Sequence, residues 1–131
     1  MELSINWIAV AVAAVTSFVI GGLWYSLLFA KPWQKASGVT DEQLKSGTVR
    51  IFVVSFVLAL VMAASLAAFI GAGGAAFGTF AGLAAGLTWV AAAFGVNYLF
   101  ERRSLVLFFI NASYNVVTFT AMGAIIGAMQ A

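Results

Sequence analysis

The sequence predicts an all-α integral membrane four-helix bundle, built as two transmembrane hairpins with both termini outside. Three observations carry this expectation. Hydrophobic residues make up 64% of the chain and charged residues 8%. The apolar residues fall into four long runs, and short polar or glycine-rich breaks separate those runs. A soluble domain is nearer a quarter charged, because it must cover its outside with polar groups. This chain has too few such side chains to coat a globule, so much of its outside must face lipid. Its length, 131 residues, suits one transmembrane domain (residues 1–131) and leaves no room for a separate catalytic domain.

The spans are expected at about 5–29, 49–70, 75–100 and 105–129. Each has the roughly 20 residues that cross a hydrocarbon core about 30 Å thick. Span one is flanked by Glu2 and Lys31 and lacks the cationic start and short apolar stretch of a secretory signal, so it reads as a retained helix. Gly71, Gly73 and Gly74 break the chain between spans two and three, and Glu101, Arg102, Arg103 and Ser104 form a tight polar turn before span four. The one sizeable loop covers 30–48. Within it, Thr40-Asp41-Glu42-Gln43 reads as a capping box that starts a short helix, which Gly47 should end. Trp33, between Lys31 and Lys35, has the character of an interfacial anchor.

Charge orients the bundle. Lys31, Lys35, Lys45 and Arg50 lie in or beside the first loop, and Arg102 and Arg103 lie in the third, which together account for all 6 Lys and Arg residues. Both loops fall on one side of a four-span protein, so the positive-inside rule puts them in the cytoplasm and both termini outside. A dual-topology protein would need a balanced distribution.

Absent residue types narrow the chemistry. With no Cys and no His, the chain has no thiolate nucleophile, no thiolate zinc site and no usual haem ligand. No cofactor and no metal site are expected. The net charge of +2 is far too small for a nucleic-acid footprint. The expected partners are membrane lipids together with a second copy or another membrane protein, and a small solute is compatible with the sequence.

Small residues recur at four-residue spacing, which lets helix backbones approach closely in lipid. Span three has Gly74, Gly78, Gly82 and Gly86; span one has Ala9, Ala13, Ser17 and Gly21; span two has Ser55, Ala59, Ala63, Ala67 and Gly71; span four has Gly123 and Gly127. Helix–helix packing is the expected use. Gly22-Leu23-Trp24-Tyr25 also resembles Gly95-Val96-Asn97-Tyr98, a faint hint of two parallel-repeat hairpins.

Polar residues collect in two places. In span four, Asn111, Asn115 and Thr118 follow i, i+4, i+7 spacing, with Tyr114 adjoining. A carboxamide facing lipid would leave its donors and acceptor unpaired, so this stripe must face another helix or water. It serves either as interhelical hydrogen bonding or as the lining of a solute path narrowed by Phe108 or Phe119. The second group stands at the cytoplasmic end: Trp24, Tyr25, Asn97, Tyr98, Glu101, Arg102 and Arg103. Glu101 is expected to form an ion pair that pins the hairpins together. The alternative is an anion-binding locus made by Arg102, Arg103, Lys31 and Arg50. No titratable carboxylate lies at mid-membrane, which argues against a proton-coupled exporter.

Several segments carry a family resemblance: Gly22-Leu23-Trp24-Tyr25-Ser26, Trp33 with Ser37-Gly38-Val39-Thr40, Asn97 through Arg103, Ile110-Asn111-Ala112, and Met122-Gly123-Ala124-Ile125. Over nearly its whole length the chain resembles domain-of-unknown-function family 1761, small bacterial multi-span membrane proteins. The resemblance implies a bacterial cytoplasmic membrane protein and brings no established activity. Relatives often have Pro where this chain has Leu27 and His where it has Asn115. Any proton or metal chemistry of that His would be missing here, whereas Asn can replace a hydrogen-bonding His.

Three functions are compatible with these features. The first in rank is a non-catalytic membrane module that self-associates or joins a partner complex. The second is an oligomeric passive pore or facilitator for a small solute, lined by the span-four stripe. An intramembrane enzyme comes last, because Glu101, Asn111 and Tyr114 supply acid–base chemistry poorly.

Overall fold

The computed structural model describes residues 5–131, and all regular structure among them is helical. Glu2, the expected outer flank of span one, lies outside the described residues. Four helices are long and apolar enough to cross a membrane: Trp7–Leu28, Thr48–Ile70, Gly74–Glu101 and Leu105–Gln130. Span one consists of α1 (Trp7–Gly22) running on into a π-helical turn, Leu23–Leu28. The first loop folds into α2 (Ala30–Ser37) and α3 (Asp41–Leu44), and α4 (Thr48–Ile70) forms span two. Span three is α5 (Gly74–Ala85), a second π-helical turn (Gly86–Ala91) and α6 (Ala92–Glu101). Span four is α7 (Leu105–Gln130).

Local chemistry sets the helix ends. Asn6 caps α1, its side-chain oxygen accepting from the N–H groups of Ile8 and Ala9 at 3.0 and 3.2 Å. Ser104 caps α7 through a 3.1 Å bond from the Leu107 N–H. The expected capping box forms, with Thr40 and Gln43 bonded reciprocally at 2.9 and 3.2 Å. Its helix closes at Leu44, before Gly47, which stands at φ 68 as the entry to α4. At the other end of α6, Arg102 takes up the left-handed conformation (φ 57) that glycine usually fills. Its N–H reaches Leu99 O and the Arg103 N–H reaches Tyr98 O, so the last carbonyls of α6 are satisfied before the chain turns.

Helix α7 runs through the middle, packed against α1, α4 and α5. The core between them is fine-grained: Ala9, Ala13, Ala63, Ala67, Met122 and Ile126 are all 0% exposed. Many large apolar side chains point outward, as with Phe80, Trp89 and Leu99 at 67%, 71% and 79% exposure. That arrangement reverses the habit of a soluble domain and suits a lipid surrounding. Outward hydroxyls of Thr16, Thr79 and Thr88 donate to the carbonyls one turn back at 2.6–2.8 Å, so they need no water.

The glycines of span three face α7. A Cβ on Gly78 would run into Gly123 O, one on Gly82 into Phe119 O, and one on Gly86 would lie 3.1 Å from Phe119 Cβ. Reciprocally, a Cβ on Gly127 would meet Gly74 O, and Gly74 itself has φ +89 at the tight turn. Residues Gly74, Gly78, Gly82 and Gly86 therefore form a seam with Gly123 and Gly127 inside one chain, where close backbones maximise van der Waals contact.

Polar groups lock the same end. The Asn6 N–H donates to Gln130 Oε1 at 2.8 Å, while Gln130 Nε2 donates to Ala67 O and Gly71 O at 3.0 and 2.9 Å. Asn6 Nδ2 returns a bond to Met129 O at 3.2 Å. One side chain thus ties spans one, two and four together. Gln130→Leu is expected to lower stability by about 1 kcal/mol, since these bonds lie near the interface where water can replace them. Unfolding in a denaturing-detergent titration checks this.

Candidate functional site

The other end, where the loops lie, is open. Span two packs on span three chiefly along α5, and residues Val49–Leu58 on its first half are mostly exposed. A cavity of about 1100 Å³ occupies the resulting space. Span one contributes Phe18 and Tyr25, span two Phe52 and Ser55, span three Phe94, and span four Asn111, Tyr114 and Asn115. Helices α2 and α3 bound it at the loop end through Trp33, Gln34 and Gln43.

The π-helical turn of span one positions the aromatic wall. Inserting an extra residue re-aims the side chains that follow, and such turns often occur at functional sites. Here the Phe29 N–H bonds Trp24 O at 2.8 Å, and the widened turn directs Trp24 and Tyr25 at α7. Trp24 Nε1 donates to Ile110 O at 3.0 Å. Tyr25 meets Tyr114 edge-on with ring centroids 5.1 Å apart, and meets Trp33 at 5.7 Å. Trp33 thus turns inward onto Tyr25 as part of the cavity wall. The segment around Asn97 and Tyr98, its suggested repeat, is regular α-helix and lacks this feature.

Asn111 is the centre of the polar wall. The Tyr25 hydroxyl donates to its Oδ1 at 2.6 Å, and its Nδ2 donates to the Tyr98 hydroxyl at 2.8 Å. One carboxamide therefore joins spans one, three and four. The Tyr114 hydroxyl donates to Ser17 O at 3.0 Å and sits against Gly21, where a Cβ would be 3.3 Å away. Asn115 donates Nδ2 to Asn111 O at 2.8 Å, one turn back on its own helix. Its Oδ1 accepts no hydrogen bond from any other described residue, and Asn115 lines the cavity.

Sequence spacing put Thr118 on the same stripe, but the cavity stops short of it. Thr118 is 2% exposed, and its Oγ1 has no hydrogen-bond partner among the described residues. The loop-end group also divides. Trp24, Tyr25 and Tyr98 converge on span four, whereas Asn97, Glu101, Arg102 and Arg103 are exposed. Glu101 meets Arg103 at 3.9 Å within its own turn, so this contact ties no hairpins together. Its reach is local because Arg102 reverses the chain at once, leaving both side chains in solvent. Lys31 and Arg50 form no ion pair with any described residue.

Sequence reasoning missed Phe18, Phe52 and Phe94 in the cavity, and Asn6 and Gln130 at the far end. The last two had a signal, since each is the polar residue bordering an apolar run. The phenylalanines had none, because an aromatic in an apolar run looks the same facing lipid or a cavity.

Fold and site together define a small all-α membrane protein with four spanning-length helices and an aromatic–amide cavity at its loop end. Over residues 8–127 the chain matches the family described as "Protein of unknown function (DUF1761)", and it belongs to that family. No curated protein and no solved structure matches it.

Proposed function

We propose that this protein is a non-catalytic membrane module that binds a small molecule within its own four-helix bundle, at the loop-end cavity. One observation carries the reading: a space of about 1100 Å³ whose lining combines aromatic faces with amide and hydroxyl groups and includes no charged side chain. Ligand sites are of this kind, mainly apolar with a few placed polar groups. The chemistry supports binding over turnover, because Asn, Gln, Ser and Tyr at such a wall are poor acids and bases near neutral pH.

The cavity is blind in this reading. A path onward would have to pass Thr118, Met122 and Ile126, at 2%, 0% and 0% exposure. This favours a binder over a continuous pore. Self-association, if it accompanies binding, would use the lipid-facing surfaces, because the glycine seam is engaged within the chain. The location of all 6 Lys and Arg residues supports a cytoplasmic loop end with both termini outside, and the family resemblance supports residence in the bacterial inner membrane.

The lack of native cysteine provides the test. With single substitutions Asn115→Cys and Thr118→Cys, the small neutral reagent N-ethylmaleimide is expected to modify the first at least about tenfold faster than the second, as the open wall and the packed interior require. Equal protection at both positions would mean a closed, dry interface and would remove the cavity from consideration.

A further inference from the structure

Resting on the binding reading above, we infer that the ligand is an uncharged amphiphile with a hydrogen-bond-donating headgroup, entering sideways from the bilayer between spans two and three. Three features support the uncharged class, the donor and the route separately.

Charge comes first. None of the lining residues is Lys, Arg, Asp or Glu. An ionised group taken into such a space would lose its hydration without a partner, which is prohibitive in a low-dielectric surrounding. The cations of the loop end are exposed and stand outside the lining. An uncharged headgroup suffers no such penalty.

The donor follows from the bonding of Asn115. One of its two amide N–H groups is held by its own helix at 2.8 Å, while no described residue donates to its Oδ1, so the oxygen is the unsatisfied acceptor of this cavity-lining residue. A carboxamide oxygen accepts and cannot donate. Asn111, one turn away, has both its oxygen and its nitrogen engaged by tyrosines. A ligand hydroxyl or amide N–H therefore complements Asn115, whereas an ether or ester would leave its oxygen unpaired.

The route follows from the packing. At the loop end the cavity is bounded by α2 and α3, and toward the termini by the buried core. On the remaining flank span three contributes only Phe94, because span two largely leaves span three beyond α5. The side chains on both sides of that gap are apolar: Val54 and Leu58 on span two are 50% and 55% exposed, and Phe94 of span three lines the cavity. An acyl chain lying between them continues the lipid environment while its headgroup reaches Asn115.

The experiment uses the full chain in nanodiscs or mild detergent, with binding counted by native mass spectrometry and followed by quenching of tryptophan fluorescence with a brominated acyl chain. The probes are a monoacylglycerol, its dimethyl ether, the corresponding fatty acid anion at pH 9, and free glycerol. The expected result is one monoacylglycerol per chain, bound about tenfold more tightly than the dimethyl ether, with neither the anion nor glycerol competing. Asn115→Leu should erase the preference over the ether while retaining some binding. Asn115→Gln, which keeps the acceptor, should restore part of it. Ser55→Phe, which removes no hydrogen bond and fills the space, should abolish binding.

Equal binding of anion or ether that Ser55→Phe still blocks would overturn the ligand class and leave the binding reading standing. Competition by glycerol would overturn the lateral route. Failure of every probe, with wild type and Ser55→Phe indistinguishable, would sink the inference and the binding reading together. The wild-type comparison of the four probes decides the class even if a variant does not fold.

Discussion

Gly82→Leu is expected to abolish the folded bundle. At this position α5 and α7 touch backbone to backbone: an added Cβ would overlap Phe119 O and come within 3.1 Å of Thr120 Cα. Neither is the tip of a flexible side chain, so relief requires the helices to separate along the whole glycine seam. Separation also withdraws Gly78 from Gly123 and Gly127 from Gly74, contacts that are as close. The penalty should reach about 3 kcal/mol or more, at or above the upper end of overpacking costs. In lipid no hydrophobic force between helices compensates, since association there relies on packing itself. Gly22→Ala is the control, because a Cβ there meets nothing within 4 Å. Size-exclusion profiles and thermal melts of both variants read the outcome; a Gly82→Leu protein melting within a few degrees of wild type would refute the seam.

Asn111→Leu has the second largest expected effect. It removes the 2.6 Å bond from Tyr25 and the 2.8 Å bond to Tyr98 in one step. Hydrogen bonds between membrane helices contribute about 0.6–2 kcal/mol each, so a loss of about 2–3 kcal/mol is expected. The site sits deeper than the Gln130 lock, and the orphaned phenols would have to find partners across the cavity. A double-mutant cycle with Tyr98→Phe isolates one arm and should give a coupling of about 1 kcal/mol. Additive effects would mean that the Asn111–Tyr98 bond contributes nothing to stability.

The four helices were legible because lipid imposes a length and a composition that few other structures satisfy, and the polar breaks between the runs are sharp. The stripe of Asn111 and Asn115 was legible for the same reason, since amides cannot face hydrocarbon. How each amide is used was not. Spacing gave Asn111, Asn115 and Thr118 a single face, yet the first bridges two tyrosines, the second bonds its own helix and the third is sealed in the core. Those differences depend on how far neighbouring helices stand off, which spacing within one helix does not encode. The π-helical turns were invisible too: Leu23–Leu28 has the composition of an ordinary helix, and its extra residue is set by the packing of Trp24 and Tyr25 on α7. Helix α2 was not legible because it is eight residues long and carries Pro32 in its first turn, too short for a periodic apolar signal. Glu101 was misjudged in reach, since its partner is the next turn and not the next hairpin.

The asymmetry between the two ends has a mechanical side. Helix α4 has 23 residues and is therefore about 35 Å long at 1.5 Å per residue. It is held at the Ala67–Gly71 end by Gln130 and by small buried residues, while toward its other end Phe52 and Phe56 meet Phe18 of span one and most other side chains are exposed. That makes it a lever with a fixed pivot: a tilt of about 5° there carries the far end about 3 Å, as the length of the helix dictates. On the binding reading proposed above, a swing of this one rod would admit guests of different girth with no side chain in the glycine seam changing its neighbours.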